Sequence, residues 1–367
     1  MSTQMPDKIL NNLQDAGFEA YYVGGCVRDR LLGRPIHDWD ITTSALPEQT
    51  MACFPHCIPT GIKHGTVTVV EGNIQAEVTT YRTDGSYADG RHPDQVVFVR
   101  SLREDLARRD FTINAMAMSV DGTVVDLYGG REDLNAGIIR CVGDPELRFR
   151  EDALRMLRAC RFSAQLDFDI EPATKAAMSR CAHLCAGLSV ERIRDEIEKT
   201  LLSAHPERLS QMVSLGLLEC CHPEENVDLE WLGSLPDEPV VRWAGLCRLW
   251  PKLDLMNLRL DKRTAHDAME AGRCPVPSDR LGWKRLLAKQ GVERTSIVAS
   301  LWGCSEIIHE ILLSGECVSL RQLAVKGSDL RHLKGAEVGA ALNLLLDHVL
   351  RVPQDNEKEK LFKILQK

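Results

Sequence analysis

The chain has 367 residues, 44% hydrophobic and 27% charged, the balance of a soluble globular protein of two or three domains with ample core. It lacks any run of roughly 18 apolar residues, which excludes a membrane span, and MSTQMPDKILNNL lacks a signal-peptide layout, which predicts a cytoplasmic protein. A net charge of −8 argues against indiscriminate nucleic-acid binding, although 45 Lys and Arg residues can still form a local basic track.

In chain order, Ala20–Val23 and Asp38–Thr42 read as strands around a Cys26–Leu32 helix, and Pro47 suits the first turn of a helix over PEQTMACF. The β-branched runs Thr66–Glu71 and Ile74–Thr80 predict a hairpin about Gly72-Asn73. Arg82–Gln95 is a long polar, glycine-rich loop, and loops of that length are often functional. Phe111–Met118 and Thr123–Asp126 predict strands about Asp121-Gly122. After LYGGRED, which begins at Leu127, strand signals nearly vanish from Pro145 onward; Glu146–Leu166 and Val190–Leu202 predict amphipathic helices. Thirteen cysteines without a C-x₂-C pair predict free, buried thiols. The clusters around His56 and His183 lack structural-zinc spacing, so no zinc is expected.

Asp38 and Asp40 flank Trp39 in a strand, where residues two apart point to one face, so both carboxylates can meet at one metal ion. Two acids beside Ile41 and an apolar run repel each other unless a cation neutralises them, which favours ligation over a solvated strand end. Gly24-Gly25, before a helix, is a bare-backbone anion site, and Arg28 one turn on can reach a phosphate. Phosphate binder and metal binder in one short segment suit nucleotidyl transfer from a Mg²⁺-bound triphosphate. Glu77 is a third carboxylate that either faces the pair or decorates a strand surface. In RRDFTINA, Arg109 suits phosphate or ribose, Asp110 its orientation and Asn114 a sugar hydroxyl; the competing reading is an Asp110 N-cap with solvated arginines.

Asp152, Arg155, Arg158 and Arg161 recur every third residue in REDALRMLRACRF, and Arg158 and Arg161 fall on the side of Leu147 and Leu154. A purely solubilising helix sets its arginines opposite its leucines, so these predict an arginine-lined cleft. Asp152 and Arg155, one turn apart, form an acceptor–donor pair that matches the Watson–Crick edges of C and A and rejects those of U and G. Glu191 or Glu196 either buttresses the arginines or lies on a solvated face, and His266-Asp267 has no partners that would make a hydrolase site.

From Tyr21 to about Leu201 the chain resembles the class II tRNA nucleotidyltransferases, the CCA-adding enzymes and their poly(A) polymerase relatives, through GGCVRDRLLG, DWDITTS, KHGTVTVV, VTTYRTDGSY, RRDFTINA, DLYGGRED, REDALRMLRACRF and VERIRDEIEK. The C-terminal LAVKGSDL and PQDNEKEKL are similar more weakly. The resemblance implies an α+β fold: a polymerase-beta-like head with a mixed sheet (1–128), then an all-helical neck (129–202), body (203–310) and tail (311–367). It implies Mg²⁺ on Asp38 and Asp40, nucleotide contacts at Gly25, Arg28, Arg109, Arg158 and Arg161, and base reading by Asp152 and Arg155; the residue reading adds Gly24, Asp110 and Asn114 to the nucleotide site. It further implies attack of a tRNA 3′-hydroxyl on the α-phosphate of CTP or ATP, untemplated addition of C, C and A, and a helical half that cradles the acceptor and T arms. The Arg82–Gln95 loop matches one linked to switching from C to A. An A-adding or poly(A)-adding relative is the alternative within the family. A non-catalytic RNA-binding relative is the alternative outside it, against which the intact aspartate pair speaks.

Overall fold

The computed structural model describes residues 6–84, 96–224 and 226–366, and the chain divides into two compact units, 1–220 and 221–367. The first unit opens with α1 (Asp7–Asp15), which buries Ile9, Leu10 and Leu13, one helical face by spacing. There follow β1 (Ala20–Val23), α2 (Gly25–Leu31), β2 (Trp39–Thr43), α3 (Pro47–Cys53), β3 (Cys57–Gly61), β4 (Thr66–Glu71) and β5 (Ile74–Thr80). Glu71 faces Ile74 across Gly72-Asn73, so β4 and β5 form the expected hairpin. β6 (Arg82–Asp84) pairs with β7 (Val96–Phe98); the rest of the expected functional loop, 85–95, lies outside the described residues.

After α4 (Leu102–Ala107), β8 (Met116–Met118) and β9 (Val124–Asp126) complete a seven-stranded sheet of order β3-β4-β5-β2-β1-β8-β9. Only β2 and β5 run parallel in it, so it is mixed. β2 is central, and its alternation sends Trp39 and Ile41 into the core while Asp40 and Thr42 share the opposite face. Trp39 packs on Tyr22 with ring centroids 5.1 Å apart.

The expected strand Phe111–Met118 is a strand only at its end; Thr112–Asn114 is a 3₁₀ turn. Tertiary contacts outweigh the apolar run: the Thr112 amide donates to the Arg140 carbonyl, and Asn114 donates its side-chain amide to Asp110. The unit continues with α5 (Gly130–Ala136), β10 (Ile138–Ile139), α6 (Pro145–Glu151), α7 (Leu154–Leu166), β11 (Asp169–Ile170), α8 (Pro172–Cys181), α9 (Val190–Leu201) and α10 (Leu209–Ser214). The helix expected over Glu146–Leu166 is therefore two helices. Asp152 breaks it with extended φ −148° and ψ 106°, its Oδ1 accepting from the Leu154 amide at 3.0 Å. As a result Leu147 is exposed while Leu154 is buried, and the two do not share one face.

Among the described residues, the second unit has no strands. It comprises α11 (Pro239–Leu249), α12 (Lys262–Arg273), α13 (Arg280–Leu301), α14 (Ser305–Leu313), α15 (Ala336–Arg351) and α16 (Lys358–Leu365), with Trp243 and Trp250 fully buried. Asp267 is held by Arg294 at 2.7 Å while His266 is exposed, so that pair is a structural contact. All thirteen cysteines are free and eight are buried, which accounts for them as small apolar side chains. No described helix is long and apolar enough to cross a membrane.

Gly130 sets the seat of the 3₁₀ turn: a Cβ there would lie 2.3 Å from the Thr112 carbonyl oxygen and 2.8 Å from the Met116 side chain. Gly130→Ala should therefore overpack the seam and destabilise the unit by about 1–3 kcal/mol. Urea unfolding of the variant checks this, and an unchanged midpoint would show that the seam yields freely.

Candidate active site

Two cavities each contribute one residue beside Gly24: Asp40 from one and Arg109 from the other. The first, about 350 Å³, is lined by Asp38, Trp39, Asp40, Thr68, Gln75, Ala76 and Glu77. Asp38 precedes β2 and Asp40 lies within it, while Glu77 on the parallel neighbour β5 stands in register with Asp40. Of the two readings of Glu77, the structure thus favours the one that faces the pair. Burial pushes the Asp40 carboxyl up to about 6, with Glu77 and Asp38 adding to the rise and Arg109 opposing it. A crowd of oxygen donors short of positive charge suits a hard divalent cation. Among the described residues no three His, Cys, Asp or Glu side chains close into a cage, so such an ion would complete its shell with phosphate and water oxygens.

The second cavity, about 280 Å³, is lined by Arg108, Arg109, Asp110, Asp152, Leu154, Arg155, Arg158 and Arg192. Gly24 has φ +74° and ψ −135°, a conformation reserved for glycine. A Cβ on it would fall 3.1 Å from Arg109 Nη1 and 3.5 Å from Asp40 Oδ2. Gly25 opens α2 behind it, its own missing Cβ 3.6 Å from Arg28 Nη2. A larger cavity of about 680 Å³, lined by Ile138, Glu171, Lys175 and Gln211 among others, holds neither the glycine turn nor the aspartates.

Most of the expected arginines are already engaged. Arg28, nearly buried, chelates Asp29 through Nε and Nη2 at 2.9 Å each, and Nη1 donates to Asn114 Oδ1 at 2.8 Å. Arg28 is buried and Asp29 half-buried, so this pair is not a surface one. Asn114 spends its oxygen on Arg28 and its amide on Asp110, so its expected sugar contact competes with internal bonds. Asp110 is not an N-cap: Phe111 holds that position, and Asp110 accepts from the Phe111 amide, Asn114 and Arg158. Although burial alone would raise it, Arg158 and Asn114 hold the Asp110 carboxyl down at about 2.

Asp152 and Arg155 line the same cavity but have separate supports. Asp152 Oδ2 accepts from Arg192 Nη2 at 2.7 Å, while Arg155 Nη1 donates to Glu151 at 2.6 Å and Nη2 to the Arg108 carbonyl at 3.1 Å. Arg161 does not line the cavity. It is buried against Glu196, Nε to Oε2 at 2.5 Å, so the buttress expected of Glu191 or Glu196 falls to Glu196. The Phe162 ring collects three guanidinium groups, with Arg161, Arg28 and Arg158 at 4.1, 5.1 and 5.3 Å from its centroid. Sequence reasoning missed Phe162, Arg192 and the buried Asp105. For Asp105 a local signal existed, since it stands three and four residues before Arg108 and Arg109 on the turn that leaves α4.

Residues 20–140 match the family profile described as "Poly A polymerase head domain", and residues 167–228 the one described as "Probable RNA and SrmB- binding site of polymerase A". A CCA-adding enzyme of Leuconostoc mesenteroides is 53% identical over 221 residues, 59% of this chain and 54% of that one, so the match spans about half the length of that relative. A CCA-adding enzyme of Anoxybacillus flavithermus is 39% identical over 375 residues, covering 96% of this chain and 94% of that one. Among solved structures, the Bacillus stearothermophilus CCA-adding enzyme in complex with CTP is similar with a TM-score of 0.85 at 36% identity, covering 98% of this chain and 96% of that one.

Asp110 gives the site an acid limit. Its folded pKa of about 2 lies below the ordinary 3.8, so its stabilising effect is complete above 3.8 and is lost as pH falls through about 2. Urea midpoints measured between those values should fall steeply for the parent and more gently for Asp110→Asn. Parallel pH profiles would remove Asp110 from the acid response.

Proposed function

The chain belongs to the CCA-adding enzyme family, and on that premise we propose that it adds C, C and A in turn to the 3′ end of tRNA from CTP and ATP. It is a nucleotidyltransferase that needs no template strand and works in the cytoplasm. The observation that carries the reading is the bare Gly24, over which Asp40 of the acidic cavity and Arg109 of the arginine cavity both stand within about 3.5 Å of where a Cβ would lie. One triphosphate can span both.

The bare backbone of Gly24 and Gly25 admits the phosphates closely. Arg109 supplies a cation beside them, and its Nε is buried with no hydrogen-bond partner among the described residues, an orphan that an incoming phosphate oxygen would satisfy. Arg158 and Asp110 fix the floor of the cavity, and Arg28, Asn114 and Arg161 hold that floor from behind. Asp152 accepts from the exocyclic amino group of C or A, and Arg155 donates to the adjacent ring acceptor. U and G present the reverse polarity and leave groups unpaired. A divalent cation, which we take to be Mg²⁺, would be held by Asp38 and Asp40 with Glu77 alongside, and when bound it neutralises charge on the transferring phosphate and lowers the pKa of the attacking hydroxyl. The tRNA 3′-oxygen bonds to the α-phosphorus as pyrophosphate departs. The neck (129–202) carries base recognition, and the body and tail (203–310, 311–367) take the acceptor and T arms through backbone shape and phosphates.

Incubation with a tRNA that ends at the discriminator base should give C, C and A addition when CTP and ATP are supplied together. If CTP is never incorporated, the A-adding alternative replaces this reading. Asn at both Asp38 and Asp40 should lower incorporation by at least about a thousandfold while tRNA binding persists; undiminished turnover would remove them from the chemistry. Ala at both Asp152 and Arg155 should narrow the preference for CTP and ATP over UTP and GTP by about tenfold to a hundredfold. Strict C and A use by that variant would count against the reader.

A further inference from the structure

Asp105, on α4 and fully buried, touches neither cavity, yet it ties both together. Its Oδ1 accepts from Arg108 Nε at 3.0 Å and Nη2 at 2.9 Å, and from the Arg82 amide at 3.4 Å. Its Oδ2 accepts from Arg109 Nη2 at 3.2 Å and from the Thr42 hydroxyl at 3.1 Å. Thr42 stands two residues beyond Asp40 on β2, so it shares the face of the metal-side carboxylate. Arg109 faces Gly24 and Asp40, and the Arg108 carbonyl takes the Arg155 guanidinium.

On the functional reading above, we propose that Asp105 is the positioning residue that sets the arginine cavity at a fixed distance from the acidic strand. It grips the strand through Thr42 and both arginines through their guanidinium groups. Arg109 thereby stays beside the phosphate turn, and the Arg108 carbonyl stays where Arg155 needs it. Burial by itself would raise this carboxyl, but Arg109 and Arg108 hold it below the ordinary range, so it remains an anion and keeps its grip. A neutral amide in its place keeps the shape but loses the charge and one acceptor. The guanidinium of Arg109 is then free to swing, and a misplacement of about 1 Å at a reacting centre costs about a hundredfold.

The test is a double-mutant cycle on single-nucleotide incorporation into tRNA by the full chain, with Asp105→Asn, Arg109→Lys and the pair. Asp105→Asn should raise the KM for CTP and for ATP alike and lower kcat/KM by about a hundredfold, while the KM for tRNA is unchanged. In the Arg109→Lys background the same change should cost clearly less than in the parent, because the Arg109 route has already been removed and only the route through Arg108 remains. Should Asp105→Asn fail to fold, Thr42→Val releases the same carboxylate from the strand with both arginines intact, and it should show the same nucleotide-specific rise in KM and the same non-additivity. Additive losses, a matching rise in the tRNA KM, or parental activity in Asp105→Asn would overturn the proposal. A parent chain that incorporates neither nucleotide would sink the functional reading instead.

Discussion

The guanidinium groups in and around the arginine cavity face carboxylates, with Arg108 and Arg109 sharing Asp105: Arg28 and Asp29, Arg155 and Glu151, Arg158 and Asp110, Arg161 and Glu196, Arg192 and Asp152 make the other pairs. Packing so much positive charge against one apolar core is tolerable only because the compensation is pairwise, since breaking one buried pair costs several kcal/mol. Phe162 adds a second form of compensation, its ring face lying against three of these cations at once. The cavity is therefore oriented but not bare. An incoming triphosphate has to compete with resident carboxylates for guanidinium edges. Arg109, whose Nε lacks a partner among the described residues, is where that exchange costs least.

Across Gly24 the imbalance is reversed. Asp40 and Glu77 stand in register on two parallel strands with Asp38 just before the first, and burial drives Asp40 up to about 6, the two other carboxylates adding to the rise and Arg109 opposing it. One side of the glycine thus lacks positive charge and the other holds it in prepaired form. A metal-bound phosphate satisfies both, bringing a cation to the aspartates and oxygens to the arginines. The glycine is required at the junction because any side chain would occupy the space between Arg109 and Asp40.

Local patterns made part of this legible in the sequence. The Gly24-Gly25 turn and the β4–β5 hairpin each depend on a few consecutive residues and stand where their patterns put them, while of the Asp38-Trp39-Asp40 run only Trp39 and Asp40 lie within the strand. What escaped depends on partners far along the chain. Arg28 reaches Asn114, 86 residues away, and Asp152 is held by Arg192, 40 residues away. Nothing in an alternation of Leu and Arg reveals that Arg161 turns to Glu196 while Arg158 turns to Asp110. The expected strand at Phe111 failed for the same reason, since an apolar run cannot signal that Arg140 will claim the Thr112 amide. The fold class survived because it rests on many such local patterns together, whereas the roles of single arginines rest on one contact each.

On the proposed reading, in which Asp152 and Arg155 select the base, the break at Asp152 is what the long-range contacts contribute. In an unbroken helix Asp152 and Arg155 would be an i, i+3 pair, stacked one turn apart and free to neutralise each other. Such a pair greets a base only after being pulled apart. The extended backbone at Asp152 commits its carboxylate to Arg192 and the Leu154 amide, and Arg155 is committed to Glu151 and to main-chain carbonyls. Each group is thus fixed by the protein before any nucleotide arrives, and both line the same cavity. If the pair reads the base as proposed, in place of a template strand, it has to be rigid in this way. Its acceptor and donor discriminate between bases only if neither can swing to meet the wrong edge, and a mismatched base then leaves a buried polar group unpaired.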